Sequence, residues 1–268
     1  MVEYTMSNAP VNSRKRRCLL TIYRDPVKIC SYLQNWIREQ FSRTKAAGAV
    51  LGISGGIDSA VLAGLLARTL GPDKVLGVIM PCRSQQMDED YARLLAAYLG
   101  IKTYKVDLSD VFDSVSAAIS AEGLKLDALP SANIKPRLRM VTLYAIAQQN
   151  GCLVCGGGNK DEIMYGYFTK HGDSGVDLLP LADLLKGEVR ALAVYLGIPK
   201  EIIDRPPTAG LWAGQTDESE MGLTYEELDS YLAAGIASEK VKSKIDDAIA
   251  RSEHKRKFPL AAVLPENL

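Results

Sequence analysis

Gly52-Ile53-Ser54-Gly55-Gly56-Ile57-Asp58-Ser59 lies between a short apolar run and a run of helix-forming residues. Ala49 to Ile53 reads as a buried strand, and Ser59 to Leu70 carries apolar residues at helical spacing. Glycines between a strand and a helix let bare amides converge on the helix N-terminus, which favours an anion and phosphate above all. No Gly-Lys-Ser/Thr closes the loop, so it is not a Walker A loop. A plain turn requires neither Asp58 nor two serines, whereas a metal–phosphate group can use all three.

The strand–helix alternation continues along the chain. Residues 75–80, 102–107 and 152–155 read as further strands. Asp88 to Leu99 has an acidic first turn and apolar or small residues at 91, 94, 95 and 98, which predicts a helix. Pro136 fits the N-terminus of a helix running to Gln149, with Leu138, Val141 and Ala145 on one face. Such units predict an α/β fold with a doubly wound parallel sheet, helices on both faces, and a helical C-terminal part after Asp183. Ligands of these sheets sit beyond the carboxyl ends of the strands, where the loops after residues 53 and 155 fall. No linker divides residues 25–268, which read as one domain behind a flexible arm of residues 1–24.

Composition removes several classes of function. Thirty-two basic and thirty-two acidic residues cancel, so no global field attracts nucleic acid or membrane. Arg14 to Arg17 follows a polar start without an apolar core, as a solvated arm does and a signal peptide does not. Five cysteines without framework spacing point to a reducing cytoplasm. Cys152 and Cys155 read as two thiols on a buried strand, not as a redox or zinc pair. Two histidines are too few for a His-rich metal site.

The first loop is similar to the Ser-Gly-Gly-x-Asp-Ser loop of the N-type ATP pyrophosphatases, which split ATP between its α and β phosphates. More specific stretches narrow the resemblance: Asn133 to Met140, Tyr167 to Asp173, Asp177 to Leu181, Pro207 to Trp212, Gly214 to Glu218 and Glu253 to Arg256. In this order, from about residue 25 to 258, they resemble the ammonia-dependent NAD synthetases. The resemblance implies an adenine nucleotide alpha hydrolase-like fold and a carbon–nitrogen ligase. Its reaction amidates deamido-NAD to NAD with ammonia and ATP, through an NAD-adenylate, as the last step of NAD biosynthesis. Adenylation turns a carboxylate oxygen into a good leaving group, so positioning and charge neutralisation suffice and no protein nucleophile is needed.

The same resemblance implies roles for particular residues. Gly52, Ile53, Ser54, Gly55, Gly56, Ile57, Asp58 and Ser59 would hold ATP, with Gly157, Lys186 and Thr208 as further contacts. Asp58 and Glu162 would carry magnesium; two carboxylates suffice for a hard cation shared with phosphates. Arg137, Lys170, Asp177, His254 and Lys255 would bind deamido-NAD, and Asp173 would orient or deprotonate ammonium. Arg139, about 200° around the helix from Arg137, is not expected on the same ligand. Gly157 stands where many relatives have threonine, and Pro136 where alanine is usual. A homodimer is implied. No glutaminase domain fits before the first loop, so ammonia is the expected direct nitrogen donor, and a separate glutaminase partner stays open. Two rivals remain at this point: a tRNA-modifying adenylase, which needs a basic surface and active cysteines, and a nucleotide-sensing module without catalysis.

Overall fold

A computed structural model describes residues 22–206 and 216–265. Arg14 to Arg17 and Thr208 lie outside them. Helix α1 (Pro26–Thr44) starts at Asp25, whose carboxylate accepts the amides of Val27 and Lys28, with Pro26 in the first turn. The chain then runs through β1 (Ala49–Gly52), α2 (Ile57–Leu70), β2 (Val75–Ile79), α3 (Gln86–Leu99), β3 (Lys102–Lys105) and α4 (Ser109–Ala121). Next come α5 (Ala128–Ala132), α6 (Ile134–Gln149), β4 (Leu153–Val154), α7 (Lys160–Tyr165), α8 (Lys186–Leu196) and α9 (Lys200–Ile203). Helices α10 (Asp217–Met221), α11 (Tyr225–Ala234) and α12 (Glu239–Ser252) follow.

All four strands are parallel, in the order β3-β2-β1-β4. Period-two alternation sorts their side chains between two cores. Ala49, Leu51, Ile53 and Ile79 face α1, α2, α3 and α8; Val50, Leu76 and Val78 face Phe112 of α4 and Leu143 and Ala147 of α6. Every residue of β2 is buried, which is why its Val-Leu-Gly-Val-Ile run is continuously apolar. The doubly wound expectation is met, and the strands are shorter than their apolar runs. Beyond β3 the chain still follows β2, with the Val106 amide donating to Ile79 O at 2.9 Å.

Two helix faces differ from expectation. In α3 the buried residues are Ala92, Leu95 and Ala96, while Leu94 and Tyr98 are exposed. In α6 they include Pro136, Leu143 and Ala147, while Val141 and Ala145 point outward. Both helices carry apolar residues on more than one face, and the face with small alanines lies closest to the core. Cys152 and Cys155 flank β4 and end up in opposite cores, so they do not act as a pair. The cysteines of the described residues are all free. A third cluster, Met221, Leu223, Tyr225, Leu228 and Ile245, joins the C-terminal helices to Tyr165 and Tyr167 beyond the sheet edge.

Candidate active site at the carboxyl edge of the sheet

The first loop turns through Gly55, whose φ of 77° lies in the left-handed region. A β-carbon there would also come within 2.5 Å of Asp88 O. The Ser54 and Ser59 hydroxyls lie 3.0 Å apart, and Ser59 donates to Gly56 O at 2.9 Å. Gly56 caps α2 without any side-chain bond, leaving the first-turn amides facing the cleft mouth. Asp58 stands in that first turn.

The second loop locks onto the first. Asn159 Nδ2 donates to Asp58 Oδ1 at 2.9 Å, while Asn159 Oδ1 accepts the Glu162 amide at 3.0 Å and caps α7. Gly157 packs beside the Asp58 backbone, where a β-carbon would sit 3.4 Å from the Asp58 carbonyl. The Glu162 carboxylate thereby faces Asp58, and the Lys186 ammonium fills the space between them. Its Nζ is 2.7 Å from Asp58 Oδ2 and 3.1 Å from Glu162 Oε1. Lys186 is 1% exposed. Burial works against its charge, yet the two carboxylates hold its pKa above the ordinary lysine value. Burial also raises the Glu162 carboxyl, to about 7, with Lys186 opposing the rise.

The backbone of Lys186 is fixed from behind. Its amide donates to Asp161 Oδ2 at 2.7 Å and to Asp229 Oδ1 at 3.1 Å, and the Gly187 amide donates to Asp229 Oδ2 at 3.0 Å. Two carboxyls thus serve the orphan amides that open α8. Burial, then repulsion from Asp229, lifts the Asp161 carboxyl to about 9. Tyr23 also donates to Asp229, at 2.7 Å, and Arg24 bonds Glu188 of α8, so the last two residues of the expected arm are tied into the fold. Gly187 has no room for a side chain, since a β-carbon would lie 2.2 Å from the Tyr23 ring.

A cleft of about 650 Å³ runs from this centre across the sheet edge. The first loop, Gly157, Glu162, Lys186, Asp173 and Lys255 all line it. Asp173 Oδ1 accepts the Thr169 amide at 2.8 Å. Asp173 is exposed on the cleft side, and desolvation by the cleft walls raises its pKa. Lys255 donates to Gly166 O and Phe168 O, both at 2.8 Å, and its ammonium lies 5.3 Å from the Phe168 ring centre. Desolvation lowers its pKa, with Asp173 opposing.

Arg137, Lys170, Asp177 and His254 do not line the cleft. Arg137 donates to Lys170 O, and Lys170 Nζ donates to His254 O at 2.8 Å. Both Asp177 oxygens are engaged: Oδ2 accepts the Val154 amide at 2.8 Å and Oδ1 the Tyr144 hydroxyl at 3.0 Å. Arg137, Asp177 and His254 are exposed, and Asp177 meets α6 through Tyr144. Arg139 points away from Arg137, as its helical angle requires. It lines the cleft and donates to Met80 O at 3.1 Å.

Sequence reasoning missed Asn159, Asp217, Tyr225 and the Asp161–Asp229 pair. Asn159 lies inside the second loop and Asp217 inside a stretch that carries the resemblance, but their partners are more than a hundred residues away or on another helix. Asp58 and Glu162 fit a hard divalent cation: two carboxylates converge on one positive atom beside open helix-terminal amides. Among the described residues no three His, Cys, Asp or Glu side chains gather as a metal cage, so phosphate and water oxygens would complete the shell.

The chain matches known proteins over most of its length. A family model for NAD synthase matches residues 29–259. The chain is 50% identical over 231 residues to the NH(3)-dependent NAD(+) synthetase of Finegoldia magna, spanning 86% of this chain and 94% of that one. An NMN synthetase from Francisella tularensis superposes with a TM-score of 0.84 at 39% identity, over 91% of this chain and 99% of that one. The NH3-dependent NAD synthetase from Campylobacter jejuni, solved with nitrate, gives a TM-score of 0.73 at 27% identity over 90% and 100%.

Proposed function

Because the chain belongs to the NAD synthase family, we infer that it is an ammonia-dependent ligase that amidates deamido-NAD to NAD at the expense of ATP, releasing AMP and pyrophosphate. The observation that carries this reading is the meeting of Asp58, Glu162 and Lys186 beside the open amides of the first loop. The nicotinate carboxylate attacks the α-phosphorus and expels pyrophosphate; ammonia then attacks the acyl carbon of the adenylate and expels AMP. Gly52 to Ser59 hold the phosphates through backbone amides and hydroxyls. Lys186 neutralises charge on the polyphosphate as a point cation. Thr208, outside the described residues, is a further proposed ATP contact.

Asp58 and Glu162 would hold magnesium, which when bound would offset the repulsion between attacking carboxylate and phosphate. Asp173 faces the cleft with a carboxyl that desolvation raises, which suits it to take a proton from the attacking nitrogen. Lys255 meets the dinucleotide inside the cleft. Arg137, Lys170, Asp177 and His254 lie outside the cleft, where a second copy of the chain would close the substrate site. That placement supports a homodimer, which light scattering on the purified chain checks. No helix of the described residues is long and apolar enough to cross a membrane. The free thiols suit a reducing cytoplasm.

One observation favours a second reading, amidation of the mononucleotide acid in the same cleft: the close superposition on an NMN synthetase. A single assay separates the two. With ATP, magnesium and ammonium, deamido-NAD should give NAD with one AMP and one pyrophosphate per turnover, and nicotinate mononucleotide should be used with much lower kcat/KM. A reversed preference establishes the second reading, and turnover with glutamine but not ammonium refutes the nitrogen assignment.

A further inference from the structure

Asp217 is 4% exposed and lines the cleft; its Oδ1 has no close hydrogen-bond donor among the described residues, and the Tyr167 hydroxyl also acts on its carboxyl. Its Oδ2 accepts the Tyr225 hydroxyl at 2.9 Å. The Tyr225 ring in turn faces the Lys186 ammonium, whose Nζ lies 4.8 Å from the ring centre. A buried carboxylate oxygen without a partner is costly, and such an atom at the edge of a site calls for an explanation.

The arrangement of Lys186 supplies one. Its ammonium is held by Asp58 and Glu162, the same carboxylates that fit a divalent cation. Cation and ammonium compete for the same oxygens. At 1% exposure the ammonium cannot turn to bulk water when it is displaced. Asp217 interacts with it electrostatically, and the Tyr225 ring lies beside it.

We propose that Asp217 is the second berth of Lys186, a positioning residue whose Oδ1 shares the ammonium with the ATP phosphates when a divalent cation takes Asp58 and Glu162. The proposal rests on the metal reading above. Tyr225 fixes the rotamer of the berth and its ring keeps the path of the ammonium cationic in preference. Asp217→Asn keeps the shape and can still accept the Tyr225 hydroxyl, but removes the charge. Lys186 then stays on the metal carboxylates and resists the cation.

The test is Mn²⁺ binding to the full chain, followed by electron paramagnetic resonance with saturating α,β-methylene ATP. Asp217→Asn should raise the Mn²⁺ Kd about tenfold in the wild-type background and leave it unchanged in a Lys186→Gln background. Tyr225→Phe, which keeps the ring and loosens Asp217, should raise it about threefold, again only when Lys186 is present. It guards against poor folding of the Asp217 variant. An equal effect of Asp217→Asn with and without Lys186, or no effect in either, overturns the proposal. Asp58→Asn separates the two layers: if it leaves Mn²⁺ binding intact, the metal reading itself fails, whereas if it weakens binding and the cycle is additive, only the berth fails.

Discussion

Asp58 and Lys186 meet at 2.7 Å across 128 residues of chain. Each is placed by its own local device, Asp58 by the glycine loop that opens α2 and Lys186 by the paired carboxyls that hold the first amides of α8. The sheet order, with β1 beside β4, brings the two loops to one edge. Neither device mentions the other; the parallel topology joins them.

The metal–phosphate core makes the first prediction. Asp58→Ala and Glu162→Ala should each cut pre-steady-state pyrophosphate release by orders of magnitude while the far-ultraviolet dichroism stays that of the parent. In both variants the attacking carboxylate approaches a phosphate whose charge is no longer offset. Near-normal release from either variant removes that residue from the centre.

Lys186→Met should show in stability before it shows in turnover. Removing the ammonium leaves two carboxylates facing one another with no counter-charge, at a cost of about 3 kcal/mol. The urea midpoint of the ligand-free chain should fall accordingly, and millimolar magnesium should recover part of the loss. An unchanged midpoint shows that the two carboxylates do not depend on Lys186.

A pH dependence follows from the Asp161–Asp229 pair. The folded chain holds the Asp161 proton up to about pH 9, whereas an unfolded aspartate releases it near the ordinary value. The raised pKa means that the folded state binds more protons in between, so stability falls as pH climbs through this window and levels above it. Asp161→Asn removes the titration and can still accept the Lys186 amide. Its Tm should therefore gain on the parent by several degrees more at pH 8 than at pH 5. Parallel Tm curves for the two chains contradict the raised titration of Asp161.

Much of this could be read from the chain, and the rest has physical reasons for being hidden. The glycine loop declares itself because strand, turn and helix are local, and β2 declares itself because a central parallel strand is apolar throughout. The buried face of α6 does not, since Leu138, Val141 and Ala145 form as regular a stripe as the one the sheet covers. Asn159 bonds Asp58 across 101 residues, and Asp217 acquires meaning only beside Tyr225 and Lys186. Asp177 shows a different limit. A motif match gives it a ligand, and the fold gives both its oxygens to Val154 and Tyr144.

Asp177 therefore yields a prediction about folding as well as substrate. Asp177→Ala leaves the Val154 amide of an edge strand without its partner, which costs about 1–3 kcal/mol. Asp177→Asn keeps an acceptor for that amide and should restore most of the Tm. If the Asn variant regains Tm but still uses deamido-NAD poorly, the carboxylate charge has a separate part in recognition. Recovery of both assigns Asp177 to the scaffold.

Lys255 gives the sharpest separation of the two substrates. Its ammonium lines the cleft near Asp173 while bonding two carbonyls of the Gly166 to Phe168 turn, far along the chain from the first loop. The proposed ATP contacts are others, Gly52 to Ser59 and Lys186. Loss of a charged contact from a partly desolvated site costs on the order of 2–4 kcal/mol, or roughly 30- to 1,000-fold in kcat/KM. Lys255→Ala should impose that loss on deamido-NAD and leave the direct binding of ATP little changed. Lys255→Arg, which keeps charge and donors, should recover part of it. His254→Ala should do less, because it is the backbone carbonyl of His254 that Lys170 bonds, and the substitution keeps it. A collapse of ATP binding in Lys255→Ala, with deamido-NAD affinity intact, moves this residue to the ATP contacts and reopens the case for a different adenylated substrate.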